Sequence, residues 1–514
     1  MTVHLPANAN LEHLRRQAKD LLKGLKAGET LALERAKPYL PRLSGDTGAA
    51  SPGGFKLAEA QLIIGREYGF ASWPKLQRTL VARKPTREEG IGEELLAQVK
   101  LAFRSADVDQ IKALLVQHPG LVARINDPLF AFGSRAISVV RRNRELVDLL
   151  LAHGADLNLK SDWWAGGFGI LEGADPETAA YLIQRGAVVD VHAAASLGML
   201  DRLRQLVAAD PALVNARGGD GQRPLHLART PEIIDFLLDQ GADIDARDLD
   251  HGSTPAQYAV KEPEKCRRLL RRGARPDIFM AIMLGDVALV EKVLTANPDC
   301  LQSRIGQGEF VAPGSEGGHI YLYVIGGHTR PLHLAAELGH QAIVALLLQH
   351  STLSERLLLA CWQAAGDTVR DLLGAYPDMV HSLSAQDQRV ICDAARDNRV
   401  EAVRLMLQAG FDVNTRGYED ATPLDRAAIM GRLAMVDLLL DHHASVDVTN
   451  QFGGAPLGAC IWGSVNFRNR TGDYPACAER LIAAGAKLPE QAGGSPAVVE
   501  VLRRHGVLGT SPAR

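Results

Sequence analysis

Cysteine is scarce in this chain of 514 residues: there are six, Cys266, Cys300, Cys361, Cys392, Cys460 and Cys477, and no two form a CxxC pair. Scattered thiols of this kind read as buried free cysteines in a reducing compartment, and they exclude a disulfide framework. No apolar run approaches the roughly 18 residues that a membrane span needs, and the opening MTVHLPANANLEHLRRQAKD lacks the basic-then-apolar order of a secretion signal. Strong charge of one sign is missing too. With 57 Lys and Arg against 60 Asp and Glu, the chain offers no basic field to a phosphate backbone. These absences lead to the expectation of a cytoplasmic protein that binds neither membrane nor nucleic acid. Catalytic signatures are absent as well: there is no GxSxG, P-loop, dinucleotide GxGxxG or HExxH, and GSEGG at 314–318 has neither the lysine nor the following helix that phosphate binding requires.

What is present is a repeat. Its best copy is TPLDRAAIMGRLAMVDLLLDHHASVDVTNQFGG, Thr422 to Gly454. Thr422 can cap a helix, Pro423 has the fixed φ suited to a first helical position, and Asp425 places negative charge at the positive end of the helix dipole. Gly431 ends that first helix. A second follows with Leu433, Val436, Leu439 and Leu440 on one face, closed by the polar turn His442 to Ser445. The next Pro-Leu pair stands 33 residues on, at Pro456. This length and the Thr-Pro-Leu opening resemble the ankyrin repeat. The resemblance implies an all-α solenoid of about ten to twelve helix-turn-helix units, each burying its apolar face against its neighbours.

The same pattern runs along most of the chain. Units end at HPGLV (118–122), HGADLN (153–158), RGAVVD (185–190), QGADID (240–245), YPDMV (376–380) and AGFDVN (409–414). RGAVVDVHAAASLGMLDRLRQLVAADPALV from Arg185 lines up with RGARPDIFMAIMLGDVALVEKVLTANPDCL from Arg272, 87 residues later, so a variant unit without the Thr-Pro-Leu-His finger is used at least twice. RPLHLA occurs at 223–228 and again at 330–335. The resemblance gives His226 and His333 the structural role of tying adjacent turns by hydrogen bonds, while Gln257, Asp425 and Gly458 stand where that histidine is usual. His443 replaces a C′ glycine. Residues 1–84 lack the repeat but carry helical spacing, at Leu11, Leu14, Ala18, Leu21, Leu22 and Leu25 and again from Leu57 to Tyr68. This segment, with LAEAQLIIGREYGFASWPKL, resembles a helical stretch ahead of ankyrin arrays in bacterial proteins and is expected to cap the first repeat. The organisation expected is therefore a cap at 1–84, a linker at 85–92, an array at 93–507 with inserted loops near 161–173, 302–330 and 460–474, and a disordered tail at 508–514.

Three stretches depart from the motif, and the functional reading rests on them. SDWWAGGFGILEG, 161–173, places Trp163 and Trp164 beside Asp162 where a short polar finger belongs; the pair either fills a gap between repeats or is used. QSRIGQGEFVAPGSEGGHIYLYVIGGHTR, 302–330, is an insertion too apolar for disorder, with His319, His328 and Glu316 and an alternating IYLYV that reads as a strand. CIWGSVNFRNRTGDY, 460–474, adds Trp462. Asp162, Trp163, Trp164, His319, Tyr321, Tyr323, His328 and Trp462 are the candidate binding residues. A metal-free acid-base site could be assembled from Glu316, His319, Tyr321 and Tyr323, since a histidine beside a carboxylate and phenols titrates in a useful range. The spacing of His319, His328 and His333 matches no compact metal motif, and no metal or other cofactor is expected. The function expected is a monomeric binding scaffold whose concave surface takes a partner, most readily a protein; the alternative is a small polar ligand or glycan held, and possibly acted on, under the inserted loops. If so, the 302–330 insertion folds back so that Glu316, His319, Tyr321 and Tyr323 face the concavity near the Trp pair.

Overall fold

The computed structural model describes residues 11–40, 55–82, 91–312, 318–327, 329–467 and 472–508. The described residues are helical and contain no strand, and none of their helices is long and apolar enough to cross a membrane. The chain divides into two compact units, residues 1–284 with 303–329, and residues 285–302 with 330–514. Glu316 and His328 lie outside the described residues, as do Arg468 and the tail beyond residue 508.

The first unit begins with helices Leu11–Ala27, Thr30–Ala36, Leu57–Glu67 and Trp73–Ala82. The apolar spacing does what it predicts: Leu14, Ala18, Leu21 and Leu25 meet Ile63, Ile64, Trp73 and Leu76 in a core supplied entirely by this segment. Helix pairs follow, among them Glu93–Ser105 with Val108–Gln117, Val191–Leu197 with Leu200–Ala209, Pro224–Leu227 with Pro231–Asp239, and Pro255–Tyr258 with Pro263–Arg271. Where the variant unit lacks its Thr-Pro opening, an aspartate starts the helix instead. Asp190 accepts from the Ala193 amide at 2.9 Å and Asp277 from the Met280 amide at 2.9 Å, each serving as N-cap.

Several successive repeats in this unit are also tied by an asparagine at the end of a turn. Asn126 Nδ2 donates to Gly154 O at 3.0 Å while its Oδ1 accepts from the Asp156 amide at 2.8 Å. Asn158 repeats the pair on Gly186 and Val188, at 3.2 and 2.8 Å, and Asn215 on Gly241 and Asp243, at 3.0 Å each. A primary amide offers one donor and one acceptor side by side, which is what a neighbouring turn with an open carbonyl and amide needs.

The second unit contains the best copy of the repeat. Thr422 Oγ1 accepts from the Asp425 amide at 3.2 Å, capping Pro423–Ile429. Gly431 turns the chain with φ 64°, and Leu433–Asp441 buries Met435, Val436, Leu438 and Leu439. His443 occupies the left-handed region at φ 62°. Asp425, at the usual histidine position, is buried and accepts from Asn450 Nδ2 of the next turn at 3.3 to 3.4 Å. Asn414 continues the asparagine ties here, accepting from the Ser445 amide at 2.9 Å.

Two expectations are corrected. The stretch 161–173 is not inserted. Ala152 to Pro176 is 24 residues, the same step as Asp239 to Pro263, but the short first helix that occupies the second interval is absent from the first. A turn-rich loop stands in place of that helix, because four glycines and two adjacent tryptophans leave no stretch with good helix propensity. IYLYV is likewise not a strand: Tyr321–Val324 is a single helical turn. All five residues are apolar or aromatic, so the segment holds no polar positions that would separate a strand's period from a helix's.

Candidate functional site

The loop 161–173 is anchored at Asp162. Its carboxylate pairs with Arg135 at 2.9 Å, both side chains mostly buried, and its amide donates to Gly133 O at 3.0 Å. The anchor presents Trp163 to the side. The indole edge meets Phe132 with ring centres 4.9 Å apart, and Trp164 tilts against it at 5.9 Å. Gly166 permits the loop to reach the following finger: its φ is 138°, and a Cβ there would stand 2.0 Å from Gly218 O. That approach brings Trp163 Nε1 to Asp220, to which it donates at 2.9 Å.

Asp220 sits at the tip of a tight turn, with φ 55°. Its carbonyl accepts from the amides of Leu249 and Asp250 at 2.8 and 3.1 Å, so the next finger stacks directly on it. That finger carries Asp250 and His251. Asp248 shapes it from below, accepting from the amides of Ser253 and His251 at 2.7 and 2.9 Å and from the Tyr258 hydroxyl at 3.0 Å. His251 Nε2 then lies 3.6 Å from Asp250 Oδ2 and 3.9 Å from Asp220 Oδ2. On its other side, His251 Nδ1 is 2.8 Å from Gly318 O of the 302–330 insertion, a contact only a protonated Nδ1 can make favourably. Tyr323 packs edge-on to the His251 ring at 5.4 Å. Burial and the adjacent Asp250 charge push the Asp220 carboxyl up to about 6.

The 302–330 insertion thus has a buried side and an exposed one. Tyr321 is fully buried, donating to Asp277 Oδ2 at 2.8 Å and stacked on Phe310. Burial holds its hydroxyl far above its ordinary range. His319 is buried as well. Its Nδ1 accepts from the Tyr321 amide at 3.2 Å, its Nε2 has no hydrogen-bond partner, and burial lowers it to about 3. Tyr323 is 62% exposed and Phe132 57%. The insertion therefore delivers Tyr323, rather than His319 and Tyr321, to the surface that Trp163 approaches. Trp462 belongs to the second unit, on the helix Pro456–Asn466, exposed and edge-on to Phe467 at 5.8 Å.

Asp220, Asp250 and His251 were not singled out by the sequence, which presents them in fingers of ordinary polar composition. One signal was present. Asp220 and His251 are 31 residues apart, close to one repeat step, and positions one step apart in a stacked array are spatial neighbours. Side chains that support cysteine chemistry are not offered: the six thiols are buried, and burial pushes Cys266, Cys361 and Cys477 up to about 12.

The sequence model of the family described as "Ankyrin repeats (3 copies)" matches residues 191–280 and 357–450, and that of "Ankyrin repeat" matches 330–354. Among curated proteins, the chain is 26% identical over 289 residues to ankyrin repeat and SOCS box protein 16 of Mus musculus, covering 49% of this chain and 59% of that one. It is 24% identical over 294 residues to the E3 ubiquitin-protein ligase KEG of Arabidopsis thaliana, covering 47% and 18%. It is 28% identical over 184 residues to the potassium channel AKT2/3 of the same plant, covering 34% and 20%. The chain thus spans less than two thirds of each of these relatives. The helix pairs are ankyrin repeats, and the fold class is all-helical.

Proposed function

We propose that this chain of ankyrin repeats is a protein-interaction scaffold, and that a partner docks on the finger face of its first unit, around Phe132, Trp163, Trp164 and Tyr323. The observation that carries the reading is the pair of largely exposed aromatics, Phe132 and Tyr323, held on short turns beside the half-buried Trp163 and the carboxylates of Asp220 and Asp250. Aromatic anchors with few rotatable bonds, next to polar groups already fixed in place, are what protein-recognition surfaces concentrate. The burial of His319 and Tyr321 favours this scaffold over acid-base catalysis, since neither side chain can reach a substrate without the insertion opening. In this reading the protein is a monomer, residues 1–84 cap the array, and the repeats of 93–507 supply the recognition surface.

The test is affinity capture with the intact chain and with a Phe132→Ala/Tyr323→Ala double variant, both side chains being exposed enough to remove without opening the core. A protein retained by the intact chain and by a Val116→Ala control, yet lost by the double variant, is the expected result. Identical captured sets from all three refute the assignment of this face.

A further inference from the structure

The cluster at the finger tips goes beyond a docking surface. We propose that Asp220, Asp250 and His251 bind a divalent transition-metal ion, zinc by preference, through Asp220 Oδ2, Asp250 Oδ2 and His251 Nε2. These side chains offer ligand atoms within 4.8 Å of one another. Ligand atoms about 2.1 Å from a tetrahedral zinc stand about 3.4 Å apart. The observed distances from His251 Nε2, 3.6 and 3.9 Å, already approach that value. The carboxylate edge needs to shorten by no more than about 1.4 Å to reach the same spacing.

The surroundings are arranged as a metal ligand set requires. His251 commits Nδ1–H to Gly318 O at 2.8 Å, which leaves the Nε2 lone pair directed at the two carboxylates. Trp163 Nε1–H holds Asp220 through its other oxygen, Oδ1, leaving Oδ2 for the ion. An imidazole with two carboxylates suits zinc, manganese or cobalt, whereas calcium would want six or more oxygens. Two like charges brought together at a partly buried surface are unfavourable without a cation between them, and a dication reverses the sign of that interaction. The ion would join three pieces of chain distant in sequence: the finger of Asp220, the finger of Asp250 and His251, and, through Gly318, the 302–330 insertion. Three protein ligands leave a tetrahedral ion one position for water or for a group from a docked partner.

The experiment is equilibrium dialysis of the chelator-treated full-length chain against Zn2+, with Ca2+ as a separate arm, followed by Co2+ substitution read by visible absorption. One Zn2+ per chain, negligible Ca2+, and the intense bands of four-coordinate Co2+ are expected. His251→Gln and Asp250→Asn should each weaken zinc binding more than about tenfold, while His442→Gln/His443→Gln, two histidines of the second unit, should leave it unchanged. Absence of stoichiometric zinc, or equal uptake by the intact chain and both cluster variants, overturns the assignment. If the variants fold poorly by circular dichroism, the intact chain decides alone: Co2+ bands of the weak six-coordinate type, or tryptophan fluorescence indifferent to one equivalent of Co2+, overturn it. Because partner capture by Phe132→Ala/Tyr323→Ala leaves all three ligands in place, failure of the docking surface and failure of the metal site are separately visible.

Discussion

Protonation of His226 should be a measurable source of acid instability. Its ring is buried and fully engaged: the Arg223 amide donates to Nδ1 at 3.1 Å and Nε2 faces Ser253 O at 3.1 Å, which fixes the neutral tautomer with the proton on Nε2. A second proton has to enter at Nδ1, against an N–H that already points there, on a buried ring. Burial accordingly lowers this histidine from 6.5 to about 4. Between those values the unfolded chain binds a proton that the folded chain refuses, so stability rises with pH across the window. The contribution is intact above pH 6.5 and is lost as the pH falls towards 4; the gap corresponds to about 3 kcal/mol. The array itself supplies the matched control. Gln257 occupies the equivalent position, its Oε1 accepting from the Thr254 amide at 2.9 Å and its Nε2 donating to Asp277 at 3.0 Å. His226→Gln should therefore keep both bonds and stay within about 1 kcal/mol of the parent at pH 7. Urea denaturation of both proteins from pH 7 to 4.5, followed by circular dichroism, isolates the term, since His192 and His319, also lowered by burial, are common to both. The variant should gain on the parent steadily as the pH falls. Parallel stability curves for the two proteins would refute the reasoning.

Leu439→Ala removes a fully buried side chain from the second helix of the best-formed repeat and should cost about 2 to 4 kcal/mol in chemical denaturation; a change below about 0.5 kcal/mol would mean that the helix face is misassigned. Asn215→Ala deletes both ties to the following turn and should cost about 1 to 2 kcal/mol, with hydrogen exchange speeding at the Asp243 amide and not at the Asp156 amide. Gly166→Ala forces a side chain into a φ of 138° and onto Gly218 O, so it should displace the 161–173 loop and red-shift tryptophan emission while the helix signal at 222 nm is kept.

The helix pairs were legible in the sequence wherever local chemistry marks a boundary. Thr422 and Pro423 start a helix and His443 accepts the left-handed turn because their own backbones and hydroxyls decide the matter. The replaced helix at 161–173 was not legible as such. Its length is ordinary, and only its stacking against Gly218 shows that a loop fills a helix's place. The finger-tip cluster was half legible. Trp163 and Tyr323 stood out by composition, but their connection runs through Asp220 and His251, whose proximity arises from stacking and from the 2.8 Å contact of His251 with Gly318. IYLYV misled because five residues are too few to separate two periods, and the side it buries was set by Phe279 and Phe310, which the sequence does not place beside it.

The asparagine ties have a consequence for how such a chain can change its length. Asn126, Asn158 and Asn215 each reach from the end of one turn to the glycine carbonyl and a nearby amide of the next, 26 to 30 residues along, and Asn414 accepts from the Ser445 amide. The donor and acceptor pattern at those three seams is the same, so duplication or loss of one whole unit of about 33 residues between them leaves each surviving asparagine matched to an equivalent neighbour. A deletion out of step with that period would strand an amide side chain against the wrong backbone groups. Gains and losses of whole repeats are the length changes that these seams tolerate, and the finger-tip side chains, which take no part in the asparagine ties, are left free to diversify.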